Sequence, residues 1–501
     1  MRLAAKALGA AAIALAVTAV CAFGPASLDT AKSVSTKANN APPRPQTLDP
    51  RPQPLPPILV TAAPVYAPLA ALKGGERFPK GAQIMYVENG IATLLVPEFA
   101  ATADANVSWD ATTVLFSAKP SPNDRWQIWE LNFATHATRQ LIASNIDLIR
   151  PMYLPAGQLV YASRGPQGYR IEVAGKANAL KLAPIDNAAA QTVLPLSYIP
   201  GSTIPVDVLR DGRILFESYY PLGTGSTPEL FLVYSDGSGV ESNRCDHGRA
   251  RWGGSQLANG DIVFTHGASL ARFTSPLAHE AAIPAPPADF TGGVRETPDG
   301  EWLVSVRNRA GANHSVSAGS HFALKLWKPG AMAMTPVLFV AGNDLVDAVL
   351  IAPRARPNQH PTGLHPWNYA NILALDARQS RMGDLNTAPA QVRLETLNPD
   401  GRIVVTGAAP VESDGSFFVQ TPADQPIRFA LLDAKGVVIR REQGWFWIRK
   451  GEQRYCVGCH TGPERASENR VPAALLRTTT PADLTGQKPA ASADAALPRG
   501  N

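Results

Sequence analysis

Charge is scarce in this 501-residue chain: Asp, Glu, Lys and Arg together make up 17% of it, against roughly a quarter in ordinary soluble domains. Lys and Arg number 46 and Asp and Glu 41, a net charge of +5 with no basic run, which excludes the electrostatic footprint of a nucleic-acid binder. Cysteine is scarcer, four in all, too few for a disulfide scaffold. Nucleophile elbow, phosphate loop and dinucleotide fingerprint are absent from the sequence, which removes the commonest hydrolase, nucleotide-binding and dehydrogenase chemistries. No run after Val20 is apolar and long enough to span a bilayer. What the chain does have is 45 Pro and 40 Gly in a composition that is 45% hydrophobic. That balance suits a turn-rich β architecture with real cores, and the length suggests about three domains.

The N-terminus reads as an export signal. Arg2 and Lys6 precede an apolar stretch from Ala7 to Val20, and small residues follow through Ala22 and Gly24. A signal peptide over 1–22 has this form; an uncleaved anchor is the rival, and Cys21 invites a lipidated start, although Val20 before it is larger than a lipidation site prefers. Residues 23–60 are Pro-rich, with Pro42, Pro43, Pro45, Pro50, Pro52, Pro54, Pro56 and Pro57, and are expected to be an extended linker.

A short strand pattern then recurs at Val114–Ala118, Leu159–Ser163, Ile214–Ser218, Ile262–His266 and Trp302–Val306. The offsets, about 45, 55, 48 and 40 residues, are those of propeller blades. Turn signals precede most of these strands: Pro155 to Gly157, Arg210 to Gly212, Asn259-Gly260 and Pro298 to Gly300. With pieces near Ala82–Val96 and Leu345–Ile351, six or seven blades are expected over 61–365; an array of β-sandwiches is the structural rival. Ser235 to Gly239 resembles a calcium loop but lacks its alternating carboxylates, so a blade turn is expected. Cys245-Asp246-His247 holds three potential ligands, yet neighbours on a strand face opposite ways, and Cys245 reads as a buried thiol.

Four further strands, Val392–Leu397, Arg402–Thr406, Ser416–Thr421 and Ile427–Leu432, alternate with period two around Asn398 to Gly401 and Asp414-Gly415 turns. They predict a small antiparallel β-sandwich over 386–442. The remaining 443–501 carries the chemistry: Cys456-Val-Gly-Cys459-His460 follows Trp445, Phe446, Trp447 and Tyr455. Cys-x-x-Cys-His is the attachment signature of c-type haem. Two thiols on one expected helical turn meet the two porphyrin vinyl groups, and His460 is placed to ligate the iron. The aromatics are expected to line the haem slot. A Cys456–Cys459 disulfide, a thioredoxin-like pair without its βαβ context, and a zinc site short of two ligands are the competing readings.

On these residues a resemblance is visible. The stretch from about 390 to 462, through Gly407 to Val419, Pro426 to Asp433, Arg449-Lys-Gly-Glu452 and the Cys456–His460 motif, resembles the middle domain of the hydrazine synthase alpha subunit. The resemblance implies an exported protein with a propeller ahead of that domain and haem c as cofactor.

The fold class expected is therefore mainly β: a β-propeller of six or seven blades, a small antiparallel β-sandwich and a C-terminal haem segment. The function expected is that of an exported, periplasmic or extracellular, mono-haem c-type cytochrome-like protein that transfers electrons to an unnamed redox partner protein. The alternative is a haem enzyme or sensor that binds a small nitrogen or oxygen compound at an open iron. Residues 461–501 hold neither Met nor His, so a sixth iron ligand must come from upstream. His365 is the first candidate, with His360, Met382 and the Cys245–His247 stretch behind it. No nucleic acid is expected as partner, and membrane contact is expected only through an uncleaved or lipidated N-terminus.

Overall fold

A computed structural model describes residues 54–178, 181–183, 191–219, 227–242, 248–275, 277–308, 320–380, 383–458 and 469–486. The signal segment, most of the Pro-rich linker, Cys245 to His247, Met382, Cys459 and His460 lie outside the described residues.

The described chain is nearly all β. Its first part forms six sheets that contact one another in succession, the sixth returning to the first. Four of them are plain four-stranded meanders, beginning at Ala101–Val107, Ser202–Val208, Arg251–Gln256 and Ala288–Glu296. A fifth, from Leu148–Tyr153 onward, carries two short strands, Lys181–Ala183 and Gln191–Pro195, both paired with Gly168–Asn178. The remaining sheet is assembled from distant parts of the chain: Ile58–Ala63 pairs with Asp344–Leu350 on one side and Gln83–Glu88 on the other. This is a propeller-like array, and it contains both outlying pieces, Ala82–Val96 and Leu345–Ile351, in one sheet.

Each of the five strands expected from the repeat is the second strand of its sheet, Thr113–Lys119, Leu159–Gly165, Ile214–Tyr219, Ile262–His266 and Trp302–Asn308. These strands are covered on both faces by neighbouring sheets, so their residues are buried in unbroken runs. Burial on both faces removes the usual polar alternation. The turns before four of them share one geometry: ahead of Ile214–Tyr219, Gly212 donates its N–H to Leu209 O at 2.9 Å, while Leu209 N–H donates to Arg213 O at 2.8 Å. Gly212 sits at φ +83°, and a Cβ there would collide with the Asn358 carbonyl, so only glycine closes this turn.

Every innermost strand is broken by a register irregularity at the same level, between Ala103 and Asn106, Ile149 and Met152, Pro205 and Asp207, Trp252 and Ser255, Thr291 and Arg295, and opposite Leu59 and Thr61. Bulges re-aim side chains, and here they turn charges toward the axis. Asp104, Arg150 and Asp347 adopt φ of +61°, +55° and +54°, each at a cost of about 1–2 kcal/mol for a non-glycine residue. Arg77, fed in from the loop after Leu72, bonds Asp104 Oδ1 at 2.5 Å and also Asp347. Arg150 pairs with the same two carboxylates at 3.5 and 3.3 Å. Burying an ion is tolerable only with such partners.

The second part consists of two facing sheets. One runs Gln453–Gly458, Tyr369–Asp376, Phe417–Pro422, Ala482–Asp483; the other runs Ile403–Pro410, Gln391–Leu397, Ile427–Leu432, Val438–Arg441. Ile372, Val392, Leu394, Phe417, Val419, Phe429 and Leu431 share one apolar cluster between them. Two differences from the sequence expectation stand out. Tyr369–Asp376, ahead of residue 386, is a central strand of the first sheet. That sheet is also mixed, because Gln453–Gly458 and Ala482–Asp483 pair in parallel with their neighbours. Each arrives through a long connection that brings it to the end of the sheet at which its own neighbour begins, which an antiparallel hairpin does not require.

Candidate functional site

Cys456 lies on the edge strand Gln453–Gly458, opposite Ala374 in the parallel register. This corrects the helical turn expected for the motif: the segment through Gly458 is extended. The hydrogen-bonded neighbour Tyr369–Asp376 dictates this, since it leaves an open edge that the Gln453–Gly458 backbone completes. Along the strand Tyr455 is 70% exposed, while half-buried Cys456 turns into the apolar cluster beside Phe446. Burial pushes the Cys456 thiol up from its ordinary value, against the lowering effect of Arg454, and Glu442 and Glu452 push the same way. The thiol is therefore neutral at physiological pH. Among the described residues no group of three or more His, Cys, Asp or Glu stands close enough to hold a metal ion.

The four aromatics expected around a single slot go to different places. Phe446 joins the Cys456 cluster, its ring 6.0 Å from Phe429. Trp445 is buried under the Arg428 guanidinium, 4.5 Å from the ring centre. Trp447 is fully buried in a different cluster, with Met152, Val160, Ile171, Phe216 and Val233 of the propeller-like sheets. Tyr455 faces solvent. The expected slot built from all four is thus corrected to one wall, Phe446.

What Trp447 does instead is fasten the chain just before the motif. Its Nε1–H donates to Gly237 O at 3.0 Å, in the Ser235 to Gly239 turn that the sequence marked as a blade turn. Arg449 Nε donates to Asp236 O at 3.0 Å and Arg454 Nη1 to Val240 O at 3.1 Å. Glu452, 7% exposed, collects Gly239 N–H at 3.1 Å, Arg449 N–H at 2.9 Å and the Arg454 guanidinium at 2.8 Å. One carboxylate thus joins the turn, the loop and the strand that bears Cys456. Arg449 and Glu452 were visible in the sequence as part of Arg449-Lys-Gly-Glu452, but nothing local showed that their partners lie some two hundred residues upstream. Trp447→Phe removes the indole donor and part of this packing; urea unfolding is expected to show a loss of about 1–2 kcal/mol.

The histidine candidates are held elsewhere. His360 is exposed and stacks on Tyr234 at 3.8 Å. His365 is exposed, stacks on Trp367 at 4.3 Å, and Trp367 stacks on Tyr369 at 5.4 Å. Its backbone N–H donates to Gly451 O at 2.9 Å. Gly451, at φ +74°, accepts this approach because a Cβ would strike the His365 carbonyl. Gly451 precedes Cys456 by five positions, roughly 16 Å of extended strand. The structure does not bring the His365 ring to Cys456.

Comparison with known proteins agrees with the part of the chain that carries this strand. Residues 371–461 match the hydrazine synthase alpha subunit middle domain. Among solved structures, hydrazine synthase of Kuenenia stuttgartiensis is similar at 17% identity, covering 85% of this chain and 72% of that one with a TM-score of 0.70. TolB from Acinetobacter baumannii aligns over 54% of this chain and 60% of its own at 13% identity, with a TM-score of 0.38. No curated protein matches the chain. The chain thus resembles the hydrazine synthase alpha subunit, by sequence over its middle domain and by fold over most of its length.

Proposed function

We propose that the protein is an exported, mono-haem c-type cytochrome-like protein that transfers single electrons. One observation supports this reading above the others: the first thiol of the Cys456–His460 motif sits in an apolar cluster at the edge of the sheet, inside the stretch that matches the middle domain. A neutral thiol against Phe446 suits a thioether, which is uncharged and apolar. Cys456 and Cys459 would hold the porphyrin and His460 would ligate the iron. When bound, the haem supplies a one-electron couple.

The rest of the role belongs to the chain. Phe446 and Phe429 offer apolar surface on one side of Cys456. Glu452 and Arg454 fix the strand against the Ser235 to Gly239 turn, so the attached group has a rigid base. In this reading residues 1–22 are the export signal, 61–365 the propeller, 386–442 together with Tyr369–Asp376 a sandwich, and the protein works in the periplasm or outside the cell, where haem is attached.

The test is a denaturing gel of the purified exported protein stained for haem, with spectra of the reduced and carbon-monoxide-treated forms. Haem that stays with the denatured chain supports the reading, and a haem-free band overturns it. His365 stacks on Trp367 and its backbone N–H bonds Gly451 O, and His365→Ala tests it as the sixth ligand: a low-spin spectrum that turns high-spin supports it, and an unchanged spectrum removes it.

A further inference from the structure

The axial channel of the six sheets is closed at one end and cationic at the other. At the closed end Arg77 stacks on Phe78 at 4.8 Å and on Tyr66 at 5.8 Å, and it ties up Asp104 and Asp347. Beyond it lies a cleft lined by Asn106, Arg150, Gly253, Gly293, Arg295 and Asp347, one or more from nearly every innermost strand. Its acids are already engaged: Asp104 and Asp347 each face two guanidiniums, and Glu217 accepts the Gly253 N–H at 2.6 Å. Arg295 is different. Among the described residues it makes no ion pair, and its one hydrogen bond is from Nη1 to Val294 O at 3.2 Å.

A second unpaired arginine stands at the same mouth. The chain leaving Asp344–Leu350 crosses this face as a strap, with Ile351 N–H on Pro57 O, Arg354 N–H on Trp109 O and Asn358 N–H on Arg210 O, at 2.7, 2.9 and 3.0 Å. Arg354 lays its guanidinium 3.9 Å over the Trp109 ring and donates to Val107 O at 2.6 Å, next to Asn106 of the cleft. Arg354 is exposed as a residue, with one face of its guanidinium against the indole. Desolvation pushes it down to about 10, with Asp207 opposing and the charge of Arg295 adding to the shift. Arg295 feels Asp347 and Arg354 feels Asp207, but among the described residues neither guanidinium makes an ion pair of its own, and the repulsion between the two is relieved by an anion.

We propose that the channel mouth between Arg295 and Arg354 is an oxyanion-binding site, taking a carboxylate or phosphate group in the fork of Arg295 with Arg354 above it. Arg presents its donors in a planar fork that matches such groups. Gly253 and Gly293 line the wall of the cleft where two innermost strands approach too closely for a Cβ. The strap then roofs the bound group, and because the same strap runs on to His360 against Tyr234, occupancy is felt beside the Ser235 to Gly239 turn. The site stands independently of the haem reading.

The test is calorimetric titration of the full-length protein with sodium phosphate and, separately, sodium succinate, each against sodium chloride at matched ionic strength. Binding of either anion above the chloride baseline is expected, and the stronger of the two tells phosphate from carboxylate. Arg295→Gln and Arg354→Gln are each expected to weaken binding by about tenfold or more, the worth of a charge-assisted hydrogen bond. Arg295→Lys, which keeps the charge and loses the fork, is expected to fall between; it also serves if the glutamine variant does not fold. Arg402→Gln, at an exposed turn of the other sheet pair, is expected to bind as the unaltered protein does. No binding beyond chloride, or equal binding in the Arg295 and Arg354 variants, overturns the site.

Discussion

Replacing Cys456 and Cys459 together by alanine is expected to abolish haem staining on a denaturing gel while leaving the chain folded. Each thioether is an independent covalent tether, so Cys456→Ala alone is expected to keep some stain through Cys459, and the double variant none. The folding half of the expectation comes from the place of Cys456. It packs half-buried against Phe446 and its neighbours in the cluster between the two sheets, and alanine keeps an apolar group there with the loss of one sulfur. A deletion of that size in a partly exposed site costs about 1 kcal/mol or less. The backbone pairing of Gln453–Gly458 with Tyr369–Asp376 and the Glu452 contacts do not involve the thiol. Haem loss can therefore be read without unfolding, by following circular dichroism of the same samples. Full stain in the double variant would sink the attachment and with it the proposed function.

The parts of this fold that were legible in the sequence are those with local causes. The five second strands announce themselves because sheets cover both faces, which leaves unbroken apolar runs such as Val114–Ala118. The turns ahead of them announce themselves through glycines at positive φ, as at Gly212. Of the innermost strands only Leu345–Ile351 was legible; in others the bulges insert charges such as Asp104 and Arg150 into the apolar pattern. The sheet joining Ile58–Ala63 to Asp344–Leu350 was visible as pieces, but no local signal pairs residues almost three hundred positions apart. At the candidate site the spacing of Cys456, Cys459 and His460 carries the chemistry, while the destination of Trp447 depends on a turn some two hundred residues away. A tryptophan two residues from others of its kind looks like a slot wall, and the structure uses it as an anchor instead.

Arg77→Met is expected to destabilise the protein by roughly 3–5 kcal/mol at neutral pH, because it removes one partner of a buried ion network and leaves the carboxylates under-compensated. Methionine keeps an unbranched side chain of similar reach but not the guanidinium that lies over Phe78 and Tyr66, so the loss reports the charged head. The network also sets an acid limb. Burial alone would raise the Asp347 carboxyl, but Arg150 and Arg77 outweigh it and hold it at about 2. A folded-state value below the unfolded one near 4 means that this group's stabilisation is present above pH ~4 and is lost as the pH falls toward 2. The window corresponds to about 2 kcal/mol. With Arg77 gone, one of the three cations that depress Asp347 is gone, its folded-state value rises, and the acid limb is expected to begin at higher pH than in the unaltered protein. Urea unfolding of both proteins between pH 2 and 7 measures the two effects together. A variant that is less stable by the same amount at every pH would mean that Arg77 acts through packing on Tyr66 and Phe78, and that Arg150 by itself holds the axial carboxylates ionised.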